Sequence, residues 1–234
     1  IERVVELARR AGVPLVLVNP VSNLRDCPPL KNQHRDGLAP EQLREWEDLV
    51  ARAGQIRAKS VARSAALLEQ ALEIDDQHAG LHFLAAECHE AMGMADRAWA
   101  SYIRAKELDV CPLRMLEPMH EILLDVARRS GTPLVDVRRL FEEAGEGGVP
   151  GSYLLLDHVH PSITGHQLIA ATLAEELVRE GVVHPAPGWK GRQEERFRAR
   201  RASLEDLYYA KGLERLEALR CWTLGKAGAP PPED

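Results

Sequence analysis

The chain has 234 residues, of which 45% are hydrophobic, 28% are charged and 5% are aromatic. This length gives room for one large domain or two small ones, and the hydrophobic content is enough to build a core, which excludes a chain disordered by composition. The formal net charge of −6 gives no support to nucleic-acid binding by the chain as a whole. No apolar run approaches the length of a membrane span, so no transmembrane segment is expected.

The four cysteines are scattered, with no Cys-x-x-Cys pair and no zinc-site spacing: Cys27, Cys88, Cys111 and Cys221. This pattern favours free thiols in a reducing compartment, which inclines the expected location slightly towards the cytoplasm. The sequence opens on Ile1 rather than on Met, so we expect it to be a fragment. The lack of a signal peptide therefore carries no information about secretion, and the localisation is left unassigned.

The first predicted elements are a helix and a strand. Residues 1–11 have the spacing of an amphipathic helix, and Val13–Val18 is an apolar run typical of a strand buried on both faces of a parallel sheet. A polar loop with Asn19, Asn23 and Arg25 follows. Because ligands of open α/β sheets bind at the carboxyl ends of the strands, we interpret these three as substrate-binding residues. The alternative is a loop whose side chains satisfy its own backbone.

From Gly37 to Arg129 the composition changes to Ala, Leu, Glu and Arg at helical spacing. Two stretches of this block match at an offset of 34 residues, one ending at Asp75 and the other at Asp109. Thirty-four residues is the tetratricopeptide period, and residues 79–109 resemble one such repeat. The block is predicted to be a helical scaffold that packs on the rest of the chain, with a groove for a protein partner as the alternative.

Two further short strands are predicted after the helical block. Leu134–Val137 repeats the helix–Gly–Pro–strand order of the chain start, and Tyr153–Leu156 is an apolar run after a Val-Pro-Gly turn. Together with Val13–Val18 they are expected to form parallel strands of one sheet. A helix from about residue 162 to 180 follows, and a helical tail is predicted for residues 185–234.

The motif Asp157-x-x-His160, followed by Pro161 and Gly165, lies between the last predicted strand and its helix. An Asp and a His three residues apart on a tight loop are suited to orienting an imidazole. The carboxylate accepts a hydrogen bond from one ring nitrogen and leaves the other to face a nucleophile.

The motif and its order resemble the SGNH (GDSL-type) hydrolase family, whose last motif is Asp-x-x-His followed by Pro, Gly and a helix. The resemblance covers roughly residues 1–30 and 131–181, the second half of such a domain. It implies an α/β fold, a three-layer α/β sandwich with a partial parallel sheet, formed by residues 1–36 and 130–184. A helical lobe of tetratricopeptide character, residues 37–129, is then inserted into this sandwich.

The same resemblance implies an activity, the hydrolysis or transfer of an acyl ester, with an acylated glycan or lipid among the expected substrates. His160 would be the general base and Asp157 would orient it, and no metal or organic cofactor is needed. No serine lies in Gly-Asp-Ser and there is no Gly-x-Asn-Asp, so the chain alone is expected to lack the nucleophile and to be inactive.

Three alternatives stay open. A metal site at His158, His160 and His166 lacks a companion cysteine or carboxylate cluster, so no metal is predicted. In a purely structural role, Asp157 caps the helix and His160 is a half-buried histidine with satisfied hydrogen bonds. In the third alternative the whole chain is a non-catalytic interaction module, whose protein partner binds the tetratricopeptide-like helices on an α/β scaffold.

Overall fold

The computed structural model describes residues 1–223, which fold into ten α-helices and one very small sheet. The strands are β1 (Leu17–Asn19) and β2 (Leu134–Asp136), and a short 3₁₀ turn occupies Glu146–Gly148. The helices, in chain order, are α1 (Glu2–Ala11), α2 (Pro40–Arg57), α3 (Val61–Ile74), α4 (Ala79–Ala91), α5 (Ala95–Glu107), α6 (Glu117–Ser130), α7 (Val137–Ala144), α8 (Ile163–Arg179), α9 (Trp189–Ala202) and α10 (Asp206–Thr223).

The strands β1 and β2 pair in parallel, with Leu17 opposite Leu134 and Val18 opposite Val135. Because successive side chains of a strand point to opposite faces, the two leucines and Val135 belong to different clusters. The leucine face packs against α1 and α6, through residues such as Val5, Leu123 and Val126. The other face packs against α7 and α8, so the sheet is covered by helices on both sides.

The predicted three-layer α/β sandwich is wrong. Within residues 1–223 the sheet has two strands, and the chain is otherwise mostly helical. The run Val13–Val18 becomes a strand only from Leu17 onward. Pro14 has no backbone N–H to donate, and Gly12 ends α1 in the left-handed conformation, so the residues between them form a connection.

The predicted third strand, Tyr153–Leu156, is a turn. The backbone N–H groups of Leu154 and Leu155 both donate to the carbonyl of Gly151, at 3.2 and 3.1 Å. Leu155 forms one isolated antiparallel bridge, to Pro161. Both leucines are fully buried, so the apolar run does mark core residues. Burial alone does not distinguish a strand from a turn in a run this short.

Helices α2 to α5 form two consecutive helical hairpins with a constant offset. α2 ends at Arg57 and α4 ends at Ala91, while α3 begins at Val61 and α5 begins at Ala95, which is 34 residues in both cases. The helix α6, which the sequence prediction included in the helical lobe, packs instead against β1 and α1. The lobe that is separate from the sheet therefore consists of the two hairpins, and its tetratricopeptide character stays a prediction.

Asp109, in the loop after α5, anchors the segment that joins the sheet to the lobe. Its carboxylate accepts hydrogen bonds from the backbone N–H groups of Leu30 at 2.8 Å, Lys31 at 3.0 Å and Cys111 at 3.0 Å. The guanidinium of Arg114 donates to the same carboxylate at 3.1 Å, and both side chains are buried. A buried carboxylate is thus matched by donors on every side that the structure records.

Asp75 has the equivalent position one hairpin earlier. Its fully buried carboxylate accepts from the backbone N–H groups of Gln77 at 2.9 Å and Arg35 at 3.4 Å, and from the ring of His34 at 2.8 Å. Burial alone would raise the pKa of Asp75, but these hydrogen bonds hold it below its ordinary value. Two aspartates, one repeat apart, therefore hold residues 30–35 across the ends of the hairpins.

The C-terminal part of the chain contains α9 and α10. The helical tail predicted for residues 185–234 is helical in these two elements, and its end, residues 224–234, lies outside the described residues. None of the helices within residues 1–223 combines the length and the apolar character needed to cross a bilayer.

Candidate active site

The loop that carries the Asp-x-x-His motif is closed at its base by hydrogen bonds between its two arms. The N–H of Leu156 donates to the carbonyl of His160 at 2.7 Å, and the N–H of Ser162 donates to the carbonyl of Leu154 at 2.8 Å. Ser162 then begins α8, because its Oγ accepts from the N–H of Gly165 at 3.2 Å. The loop, residues 156–162, is therefore fixed between a buried turn and the start of a helix, and we call it the catalytic loop.

Within the catalytic loop the Asp157 carboxylate is bound at both oxygens. Oδ1 accepts from the backbone N–H groups of Val159 and His160, each at 2.8 Å, and Oδ2 lies 2.7 Å from Nδ1 of His160. An ionised carboxylate only accepts, so this contact assigns the proton to Nδ1 and leaves the lone pair on Nε2. The Asp157 side chain is 11% exposed and that of His160 is 67% exposed, so the carboxylate is sheltered and the base is accessible.

The ionisation of the loop is set by its hydrogen bonds. Burial alone would raise the pKa of Asp157, but the two backbone N–H groups and the His160 ring lower it below its ordinary value, so the carboxylate is charged at neutral pH. His158 lies close by, with its Nδ1 3.7 Å from Asp157 Oδ1. Burial lowers the pKa of His158 and keeps its ring neutral at pH 7, so the hydrogen-bonded partner of the carboxylate is His160.

Gly165 allows the first turn of α8 to approach the turn before the catalytic loop. A Cβ at this position would overlap the carbonyl oxygen of Leu154 and would lie 3.0 Å from Cβ of Pro161 and 3.1 Å from the ring of Phe141. The glycine of the motif therefore has a packing reason: only a residue without a side chain fits between the helix and the backbone of the turn.

Gly165→Ala is expected to lower the free energy of unfolding by roughly 1–3 kcal/mol, because the backbone of the turn must move to accept the methyl group. Urea denaturation followed by circular dichroism measures the change. The matched control is Gly54→Ala, within α2, where a new Cβ meets no atom within 4 Å. There the change is expected to stabilise the helix by about 0.5–1 kcal/mol. Equal effects of the two substitutions would contradict the close approach at Gly165.

Asn19, the first predicted substrate-binding residue, is buried and engaged at both ends of its amide. Its Nδ2 donates to Asp136 Oδ1 at 2.8 Å, and its Oδ1 lies 2.6 Å from Nδ1 of His120. Burial lowers the pKa of His120, so a neutral ring donates this hydrogen bond. The side chain thereby connects β1 to the end of β2 and to α6.

Asn23 brings the loop after β1 next to the catalytic loop, through its backbone rather than its side chain. Its N–H donates to the carbonyl of His158 at 3.0 Å. The side-chain Oδ1 accepts from the N–H of Asp26 at 2.9 Å, and Nδ2 donates to Ser152 Oγ at 3.4 Å. Proximity of the two loops, which the sequence predicts, is confirmed by the backbone contact, whereas a substrate contact of this amide stays a prediction.

Arg25, the third predicted substrate-binding residue, points to the helical lobe. Its Nε donates to Glu90 Oε1 at 2.7 Å, which makes an ion pair with α4. Arg114 was not predicted, yet its buried guanidinium donates to the carbonyls of Asn23 at 3.2 Å and Cys27 at 2.9 Å and so fixes the loop that touches His158. The nearest sequence signal for Arg114 is its place five residues after Asp109, at the end of the repeat.

No group of three or more His, Cys, Asp or Glu side chains within residues 1–223 is arranged to hold a metal ion. Comparisons with protein-family models, curated proteins and solved structures gave no significant match to this chain. The functional interpretation consequently depends on the residues of the catalytic loop and on their geometry.

Proposed function

We propose that the catalytic loop supplies the general base of a serine ester hydrolase of the SGNH (GDSL-type) kind that its motif resembles. The observation that carries the proposal is the 2.7 Å contact between Asp157 Oδ2 and His160 Nδ1, with Oδ1 held by two backbone N–H groups. A helix cap alone does not require this arrangement, since Ser162 already caps α8. The carboxylate is thus available to orient the imidazole.

In this mechanism each group of the pair has one role. Nε2 of His160 takes the proton of a serine hydroxyl as its Oγ attacks the carbonyl carbon of the ester, and the C=O bond opens to an oxyanion. The imidazolium then gives that proton to the departing alkoxide as the acyl–oxygen bond breaks. A water molecule, deprotonated by the same nitrogen, releases the acyl group as a carboxylic acid. Asp157 stays ionised and stabilises the imidazolium at both steps.

The serine and the oxyanion-hole donors are supplied, in this proposal, by a segment outside the 234 residues. Support comes from an open groove of about 410 Å³ at the sheet, lined by Val18 and Ser22 beside β1, by Val159 and Pro161 of the catalytic loop, and by Ile169 of α8. Val18 of β1 is itself 39% exposed, so this face of the sheet has room for another segment. A serine presented there would enter next to the catalytic loop.

Residues 1–234 alone are expected not to turn over p-nitrophenyl acetate, because a base without a nucleophile has nothing to activate. Release of p-nitrophenol is compared for the wild-type chain, His160→Ala and Asp157→Asn, and the three rates should coincide. Sustained turnover that both substitutions abolish would show that the nucleophile lies within these residues, and would contradict the assignment of the serine to another segment.

The alternative function is a non-catalytic interaction module, and one observation favours it: α2 to α5 form two hairpins at a constant 34-residue offset. Helical repeats of this kind present extended surfaces to protein partners. The two proposals differ in the expected effect of His160→Ala. The substitution leaves an interaction module unaffected, because the ring is exposed and far along the chain from the hairpins, whereas it disables a hydrolase.

A further inference from the structure

A groove of about 710 Å³ lies between the catalytic loop and α10. Leu156 and Ser162, the two ends of the catalytic loop, both line it, so it begins where His160 is presented. The remaining walls are apolar and aromatic, and are formed by Tyr153, Ile163, Tyr208, Tyr209 and Leu213. Its volume is in the range of small-molecule sites, roughly 300–1,000 Å³, and its lining suits a flexible apolar chain.

The charge of the groove is opposite to that of the chain as a whole. Its lining includes the cations Arg201, Lys211 and Arg215 and no carboxylate, although the formal net charge of the chain is −6. Lys211 and Arg215 are four residues apart on α10, which places them on one side of that helix. Neither of them makes an ion pair within the described part of the chain.

Arg201 connects this positive charge to the catalytic loop. Its Nη2 donates to Gln167 Oε1 at 2.6 Å and to Thr164 Oγ1 at 3.4 Å, and both of these acceptors are neutral. Thr164 lies in the first turn of α8, directly after the catalytic loop. The guanidinium is therefore held beside the loop with its charge uncompensated by these partners, which favours an anionic ligand.

We propose that this groove binds the substrate of the catalytic loop, and that the substrate is an anionic amphiphile: an acyl ester with a long apolar chain and a phosphate or carboxylate group. The inference rests on the proposed function and adds the substrate class. The apolar chain lies against the tyrosine and leucine walls, and the anionic group is neutralised by Arg201, Lys211 and Arg215. The ester is then held at the end of the groove where His160 is exposed.

The test measures binding, not turnover, so that it needs no nucleophile. Residues 1–234 are titrated by calorimetry, below micelle-forming concentrations, with dodecyl phosphate, with dodecyltrimethylammonium and with inorganic phosphate. Dodecyl phosphate is expected to bind about tenfold more tightly than the cationic amphiphile of equal chain length, since exposed charge pairs each contribute modestly. Inorganic phosphate alone should show no measurable binding, which separates an amphiphile site from a simple anion site.

Variants then locate the site. Lys211→Gln combined with Arg215→Gln should weaken dodecyl phosphate about five- to tenfold and leave dodecyltrimethylammonium unchanged. The matched control is Lys59→Gln with Arg63→Gln, another exposed pair of cations at the same spacing, which should alter neither affinity. Leu213→Asp should weaken both amphiphiles; this residue is 67% exposed, so its substitution spares the fold.

Several outcomes would overturn the assignment. Equal affinity for the two amphiphiles, or no effect of the two α10 substitutions on dodecyl phosphate, would remove the anionic substrate class. A dimer in sedimentation that Leu213→Asp dissociates would assign the groove to a second copy of the chain. His160→Ala should bind dodecyl phosphate as the wild type does. A failure of binding is thus distinguishable from a failure of the proposed catalytic role, which the kinetic effect of the same substitution tests.

Discussion

His160→Ala is expected to lower kcat for ester hydrolysis by roughly 10⁴–10⁶-fold in a protein that carries residues 1–234 together with the nucleophilic serine. The substitution removes the only group that the geometry offers to accept the serine proton, on the accessible side of the Asp157–His160 pair. Asp157→Asn should cost less, about 10⁴-fold, because the base remains but its tautomer and orientation are no longer fixed. Steady-state kinetics with a short-chain aryl ester give both values.

The matched control is His166→Ala, a change of the same kind at an exposed position in the first turns of α8. It should leave kcat within about twofold of the wild-type value, since the residue has no part in the mechanism. The control also tests the metal alternative, in which His158, His160 and His166 would act together. Equal activity of the wild type and His160→Ala would remove the general-base assignment altogether.

Asp109→Ala is expected to lower the free energy of unfolding by about 3–5 kcal/mol, the cost of leaving a buried charge without its partner. The side chains of Asp109 and Arg114 are 1% and 3% exposed, so water cannot replace the lost carboxylate. The substitution also removes the acceptor of the backbone N–H groups of Leu30 and Lys31. Urea denaturation of the two proteins measures the difference.

Two controls separate this effect from a general loss of charge. Asp48→Ala breaks the exposed pair with Arg52, whose atoms are 3.1 Å apart, and should change stability little. Arg114→Met, which removes the buried cation while Asp109 keeps its backbone donors, should cost less than Asp109→Ala. If Asp109→Ala were no more destabilising than Asp48→Ala, the carboxylate would not be the anchor of the connecting segment.

The parts of the site that the sequence predicts well are local. Asp157 and His160 are three residues apart, so a single turn brings them together and the motif suffices to predict their contact. The helical periodicity and the 34-residue offset are local in the same sense. The third strand was predicted wrongly for a local reason too: three leucines mark burial, and the backbone of Gly151 decides that they form a turn.

The substrate-binding residues show where sequence reasoning reaches its limit. Asn19 was chosen for its position after a strand, yet its amide contacts side chains 101 and 117 residues away, on His120 and Asp136. Arg25 contacts Glu90, 65 residues away. The type of a polar residue is visible in a sequence, but the partner that occupies its hydrogen bonds is fixed by the packing of distant elements.

The pair of repeat-related aspartates, Asp75 and Asp109, couples two lengths that are otherwise independent. One helical hairpin separates the aspartates, and four residues separate Lys31 from Arg35, the backbone groups that they hold. Four extended residues span about 13 Å, so the segment acts as a ruler with one mark for each hairpin. A third hairpin inserted into the lobe would therefore need a connecting segment about four residues longer to keep every mark in register. Repeat number and linker length are expected to change together, or not at all.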